Sequence, residues 1–164
     1  MQGSQNTIQN KPAYNIAELN KGIEELTERI KANPKDIASY SLRADVYMWL
    51  RKYRQATEDY TTVIHFRPDY ARAYYYRGMV YKADKKLELA LSDFNKAYQL
   101  EPMAKASLFQ RATIYQKLRR YSQAIADYTV LIEVNPIAPV AYHHRGSCYL
   151  SLDNKEAALK DLIN

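Results

Sequence analysis

His144 and Cys148 stand four residues apart, the spacing that brings two side chains together on one helix face. A thiol beside an imidazole is the pair that makes a nucleophilic thiolate. No third polar group is recognisable to orient the imidazole, and the sequence reads Cys148 as a small buried thiol. His143 and His144 are adjacent, so on a helix they point about 100° apart and make no chelate. His65 adds no ligand at zinc spacing. The glycines, at 3, 22, 78 and 146, build no phosphate loop, and no serine sits in a nucleophile elbow. The expectation is a chain without enzymatic activity, metal or cofactor.

A second set of chemical groups recurs. Arg43, Arg77, Arg111 and Arg145 are 34 residues apart, and each is followed 16 residues later by an aspartate: Asp59, Asp93, Asp127 and Asp161. Whether joined across 16 residues or across the 18 from each aspartate to the next arginine, these groups can form a ladder of bidentate ion pairs. The functional alternative is a row of arginines gripping phosphates or carboxylates. A partner-seeking arginine needs no aspartate fixed beside it, which favours the structural ladder.

The elements that must position these groups share the same period. Pro34, Pro68, Pro102 and Pro136 are also 34 apart, and with each proline at position 32 of a unit, four units begin at Ile37, Ala71, Lys105 and Pro139. Position 4 reads Tyr40, Tyr74, Leu108 and Tyr142; position 11 is tyrosine in all four, at 47, 81, 115 and 149. Position 8 alternates Ala44, Gly78, Ala112 and Gly146, position 20 is Ala56, Ala90, Ala124 and Ala158, and position 24 is Tyr60, Phe94, Tyr128 and Leu162. Small residues let two helices approach closely and the rings fill the space around them. Each unit is therefore a hairpin of two helices, A and B, with a polar break such as Ala83 to Lys86 between them and a proline ending the second. Position 10, where Cys148 falls, points into the hairpin packing.

This pattern resembles the tetratricopeptide repeat family, a 34-residue helix–turn–helix with an aromatic, a small residue, a tyrosine, an alanine, an aromatic and a proline in that order. The resemblance covers residues 37–164 and implies an all-α fold, a right-handed α-solenoid of antiparallel hairpins. The expected organisation is a disordered segment over 1–13, a helix within 14–36 that looks like a helix B, repeats over 37–70, 71–104 and 105–138, and a fourth, incomplete repeat over 139–164. The last repeat stops inside its helix B. That leaves two readings open, a piece of a longer protein or a final face covered by a partner, and it predicts self-association through an uncapped Leu159 and Leu162.

The resemblance also implies a binding surface, because family arrays hold ligands on a concave face lined by the A helices, chiefly through positions 2, 5, 9, 12 and 13. Carried onto this chain, that surface includes Trp49, Arg72, Tyr75, Met79, Lys82, Phe109, Gln116, Lys117 and His143. Trp49, Tyr75, Met79 and Phe109 are read as large apolar groups at positions that need not pack the solenoid. The carboxylate clamp that grips chaperone tails in some members is absent, since Ser41, Asp45, Tyr76, Ala106 and Gln110 occupy its positions.

Composition agrees with a folded, partner-binding chain. Its 164 residues are 47% hydrophobic and 26% charged, with a net charge of +6 and 16 tyrosines. No acid lies between Glu101 and Asp127, where Lys105, Arg111, Lys117, Arg119 and Arg120 fall. The predicted ligand is thus an acidic, partly apolar peptide or segment of another protein. Single-stranded nucleic acid is the rival, disfavoured because four arginines are engaged by aspartates, and a recruiting arm of a larger enzyme is the third reading. The lone cysteine, the missing signal sequence and the absence of a membrane-length apolar run point to the cytosol and away from a membrane.

Overall fold

The structure, a computed structural model, describes residues 15–163. The segment 1–13, expected to be disordered, lies outside the described residues. Those residues form nine helices and no strand: α1 (Ile16–Ala32), α2 (Ile37–Trp49), α3 (Tyr53–Phe66), α4 (Ala71–Ala83), α5 (Leu87–Leu100), α6 (Lys105–Lys117), α7 (Tyr121–Val134), α8 (Pro139–Ser151) and α9 (Lys155–Leu162). Each helix packs mainly on the helices before and after it, so the chain is an α-solenoid. The even-numbered helices are the A helices and the odd-numbered ones the B helices. No helix among the described residues is long and apolar enough to cross a membrane.

Two kinds of turn produce the alternation. Every helix B before a proline ends at a residue held extended by the pyrrolidine ring that follows: Asn33, Arg67, Glu101 and Asn135 have φ between −140 and −134°. Every A-to-B turn instead reverses through a left-handed, non-glycine residue at position 15, namely Arg51, Lys85, Arg119 and Asp153, with φ of 56 to 62°. In each, the amide that follows reaches back five residues to the position-11 tyrosine carbonyl, as Lys86 N does to Tyr81 O at 2.9 Å. That bond satisfies an orphan carbonyl and closes the helix end.

Within a hairpin the small residues do what their spacing predicts. Ala44 of helix A meets Ala56 and Tyr60 of helix B in one buried cluster, and Ala112 meets Ala124 and Tyr128 in another. At Gly78 the approach is closer still: an added Cβ would lie 2.9 Å from the buried Phe94 ring.

Candidate partner-binding surface

The arginine–aspartate pairs form within each repeat, across 16 residues. Arg43, Arg77, Arg111 and Arg145 each donate from Nε (2.7–2.8 Å) and from Nη2 (2.7 Å) to the two carboxylate oxygens of Asp59, Asp93, Asp127 and Asp161. The third arm of each guanidinium, Nη1, donates to a polar side chain on the preceding helix B: Thr27, Thr61, Asn95 or Thr129, at 2.7–3.1 Å. One arginine thus ties three helices, two of one repeat and one of the repeat before. The rings at positions 4 and 11 flank it, as Tyr74 and Tyr81 each place their centroids 5.8 Å from Arg77 Cζ. In repeat 3, where Leu108 replaces the first ring, Tyr98 of α5 lies 5.3 Å from Arg111 Cζ instead. Much of the tyrosine in the composition is accounted for by this arrangement.

His144 and Cys148 are both engaged in packing. The imidazole stacks on Tyr128 (centroids 5.4 Å apart), its Nδ1 lies 3.1 Å from Gln116 Oε1, and burial followed by the neighbouring His143 lowers its pKa. Cys148 is fully buried, and burial pushes its thiol up to about 11, the opposite of what a nucleophile needs. No group of three potential metal ligands occurs among the described residues.

The residues expected to bind a partner divide into three sets. Tyr75 and Met79 are half-buried and pack against the cluster around Phe94, with the Tyr75 and Phe94 centroids 5.7 Å apart. Phe109 is half-buried between Tyr128 (6.0 Å) and His144 (5.7 Å). The premise that these three side chains are not needed for packing is therefore corrected. For the two rings the reason is register: a ring at position 5 of helix A falls over the ring at position 24 of its own helix B.

The second set is cationic. Lys82 is half-buried, donates to Gln110 on the next A helix, and has its pKa lowered by burial first and by Lys117 second. Neither lysine has a carboxylate partner among the described residues. Arg72 is exposed over the Tyr76 ring, His143 is exposed beside His144, and Gln116 is occupied by Tyr128 and His144. Asp45 is the one acid on the four A helices, and it accepts the hydroxyl of buried Tyr60, which holds the phenol well above its usual pKa after burial itself.

Between successive A helices run shallow apolar grooves. One of about 480 Å³ lies between α2 and α4, lined by Ile37, Ser41, Leu42, Asp45, Tyr70, Arg72 and Tyr76 among others. A second, of about 280 Å³, includes Arg72, Tyr75, Tyr76, Glu101 and Ser107. Tyr70 and Leu42 were not singled out from sequence; the signal for Leu42 was its place at position 6, which faces the preceding helix A.

Trp49 forms the third set. It is 67% exposed and lines a groove with Leu19 and Leu26 of α1.

Comparison with known proteins agrees with this architecture. The sequence profile of the tetratricopeptide repeat matches residues 41–104 and 109–164. A MamA crystal structure superposes with a TM-score of 0.84 at 19% identity, covering 90% of this chain and 86% of that one. MamA from Desulfovibrio magneticus RS-1 gives 0.81 at 17%, covering 90% and 84%. YrrB, described as a TPR protein with an unusual peptide-binding site, gives 0.78 at 19%, covering 90% and 76%. No curated protein sequence matches significantly. With more than half its length matched by that profile and its hairpins stacked as in these structures, the chain belongs to the tetratricopeptide repeat family and has the architecture of a protein–protein interaction scaffold.

Proposed function

We propose that the helix-A face around repeats 2 and 3 binds an acidic, partly apolar segment of another protein. The observation that carries this reading is half-buried Lys82 on the helix-A face, its pKa lowered by burial and then by Lys117, with no carboxylate among the described residues paired with either lysine. A ligand carboxylate would offset the cost of burying Lys82 and gain charge-assisted hydrogen bonds. Arg72 extends the basic surface, and the apolar walls of the adjoining grooves, with the half-buried edges of Tyr75, Met79 and Phe109, supply the apolar contact. The same half-burial counts against single-stranded nucleic acid, whose bases need open ring faces for stacking.

Peptide display against the full chain tests the reading. Enriched peptides are expected to be acidic with interspersed apolar residues. Their affinity should fall at least tenfold in the Lys82→Ala/Lys117→Ala variant and decline with salt. Enrichment of neutral or basic peptides, or affinity indifferent to both lysines, would sink it.

A further inference from the structure

The cations of the helix-A face continue past its rim. Lys82 lies in the last turn of α4 and Lys117 ends α6. Two residues beyond each helix, the left-handed residue of the turn is itself a cation, Lys85 with φ of 62° and Arg119 with φ of 58°, and Lys86 and Arg120 follow. Residues 82–88 and 117–120 thus hold six cations against two acids, Asp84 and Glu88. Both acids are engaged, Asp84 with Lys86 at 2.7 Å and Glu88 with Arg120 at 2.7 Å. The second bond runs from the turn of repeat 3 to α5 of repeat 2, so the two turns stand side by side on one edge of the solenoid. Lys85 and Arg119 are exposed and have no ion-pair partner among the described residues. A helix C-terminus favours a nearby cation through its dipole, but the fold does not require one here: α8 has no basic residue in its last turn and Asp153 in the left-handed position beyond it.

We propose that this strip binds a run of acidic residues in a partner protein, a run that lies over the turns of repeats 2 and 3 and carries the acidic segment of the helix-A face across its rim. The inference rests on the acidic-segment reading for its inner end, Lys82 and Lys117, and adds the outer end, Lys85 and Arg119. Shape selects a polypeptide. Lys82 is half-buried and donates to Gln110 of α6, whereas Lys85 and Arg119 stand exposed on the turns, so the strip passes from a channel between two helices onto an open edge. A flexible chain can follow that course, while a flat bilayer or a rigid duplex meets only the outer end. The residues that open the following B helices, Leu87 and Tyr121, pack against core clusters and leave no open ring on which the bases of a single strand could stack. Lys82 and Lys85 are separated by roughly 5 Å along the helix direction, and six extended residues reach about 20 Å, so a short acidic run spans both ends.

Fluorescein-labelled hexaglutamate, with hexaglutamine as the control, is titrated with the full chain at low salt and followed by anisotropy. Saturable binding of hexaglutamate alone is expected. It should weaken at least tenfold in the Lys85→Asp/Arg119→Asp chain. The turns tolerate that reversal because Asp153 already holds the same left-handed position in repeat 4, and circular dichroism verifies the fold. Binding should also weaken, by a smaller factor, in the Lys82→Ala/Lys117→Ala chain. Indifference to the outer pair overturns this proposal and leaves the helix-A-face reading standing; indifference to the inner pair alone overturns that reading and confines the acidic run to the edge. The absence of saturable binding overturns the proposal as well. So does tighter binding, through Lys85 and Arg119, of phosphatidylserine vesicles or of a short DNA duplex, which assigns the strip to a lipid surface or to nucleic acid.

Discussion

Asp93→Ala isolates one rung of the ladder. The change removes two hydrogen bonds of 2.8 and 2.7 Å and strands Arg77, whose side chain is 17% exposed. Hydrogen bonds to charged groups contribute about 1.5–3 kcal/mol each, and opening a buried pair from one side costs about 3–5 kcal/mol. The guanidinium keeps Thr61 and the faces of Tyr74 and Tyr81, a residual cation–π attraction of about 0.5–2 kcal/mol, so the lower part of that range, about 3 kcal/mol, is expected. For a chain of this size about 2–4 °C is lost per kcal/mol, which places the melting point about 6–12 °C lower. Replacing both residues, as Arg77→Leu/Asp93→Leu, should cost less than the two single changes together, because no charge is left buried. Calorimetric melts at low and high salt are the assay. An unchanged melting temperature in Asp93→Ala, or a loss that vanishes in high salt as for a solvated pair, would refute the buried-clamp reasoning.

Gly78→Ala should destabilise by about 1–3 kcal/mol through overpacking, since its Cβ would press on Phe94, whereas Gly22→Ala in the open part of α1 should stabilise by up to about 1 kcal/mol; paired denaturant titrations compare them. Phe109→Ala should cost about 2–4 kcal/mol of folding stability before any effect on binding, because the ring packs on Tyr128 and His144. Cys148, with its thiol at about 11 and no exposed surface, should react with a thiol reagent at neutral pH only as fast as the chain opens, which a time course with and without denaturant measures. His144 has a folded pKa below its usual 6.5; its contribution to stability is therefore complete above 6.5 and declines as pH falls through and below that value, and His144→Gln should flatten this part of the stability curve.

Period, hairpin boundaries and core were legible because each rests on a contact remade every 34 residues. Two helices that touch at Ala44 and Ala56 need small residues there, and the chain repeats the requirement at Gly78 with Ala90 and at Ala112 with Ala124. The polar arm of the clamp was equally periodic, at Thr27, Thr61, Asn95 and Thr129; an unmatched third arm on each arginine was the clue that could have found it. Ring placement at position 5 was not legible in the same way. Helical periodicity assigns Tyr75 and Phe109 to a face, but whether a ring lies flat on the neighbouring helix or stands free depends on the side chain opposite, here Phe94 and Tyr128. That no described residue comes within 4 Å of a Cβ at Gly22 was invisible for a related reason, since a glycine in register says that a helix could approach and nothing about whether one does.

The clamp and the cations left outside it divide the electrostatics of this chain between rigidity and recognition. Each clamp arginine reaches across a repeat boundary to the preceding helix B, so neighbouring hairpins are joined by directional bonds as well as by apolar contact. Such bonds resist the twisting between repeats that would otherwise open or close the helix-A surface. The four pairs are neutral, so the whole net charge of +6 is carried by other groups. On the A helices those other groups are Arg72, Lys82, Lys105 and Lys117 against the single Asp45, which is already held by Tyr60. A fixed frame with unneutralised cations along one face favours acidic ligands at the encounter stage, where long-range attraction acts. Salt should therefore slow association at this surface far more than it speeds dissociation, and rapid mixing over a salt series, in the presence and absence of Lys82 and Lys117, measures the two separately.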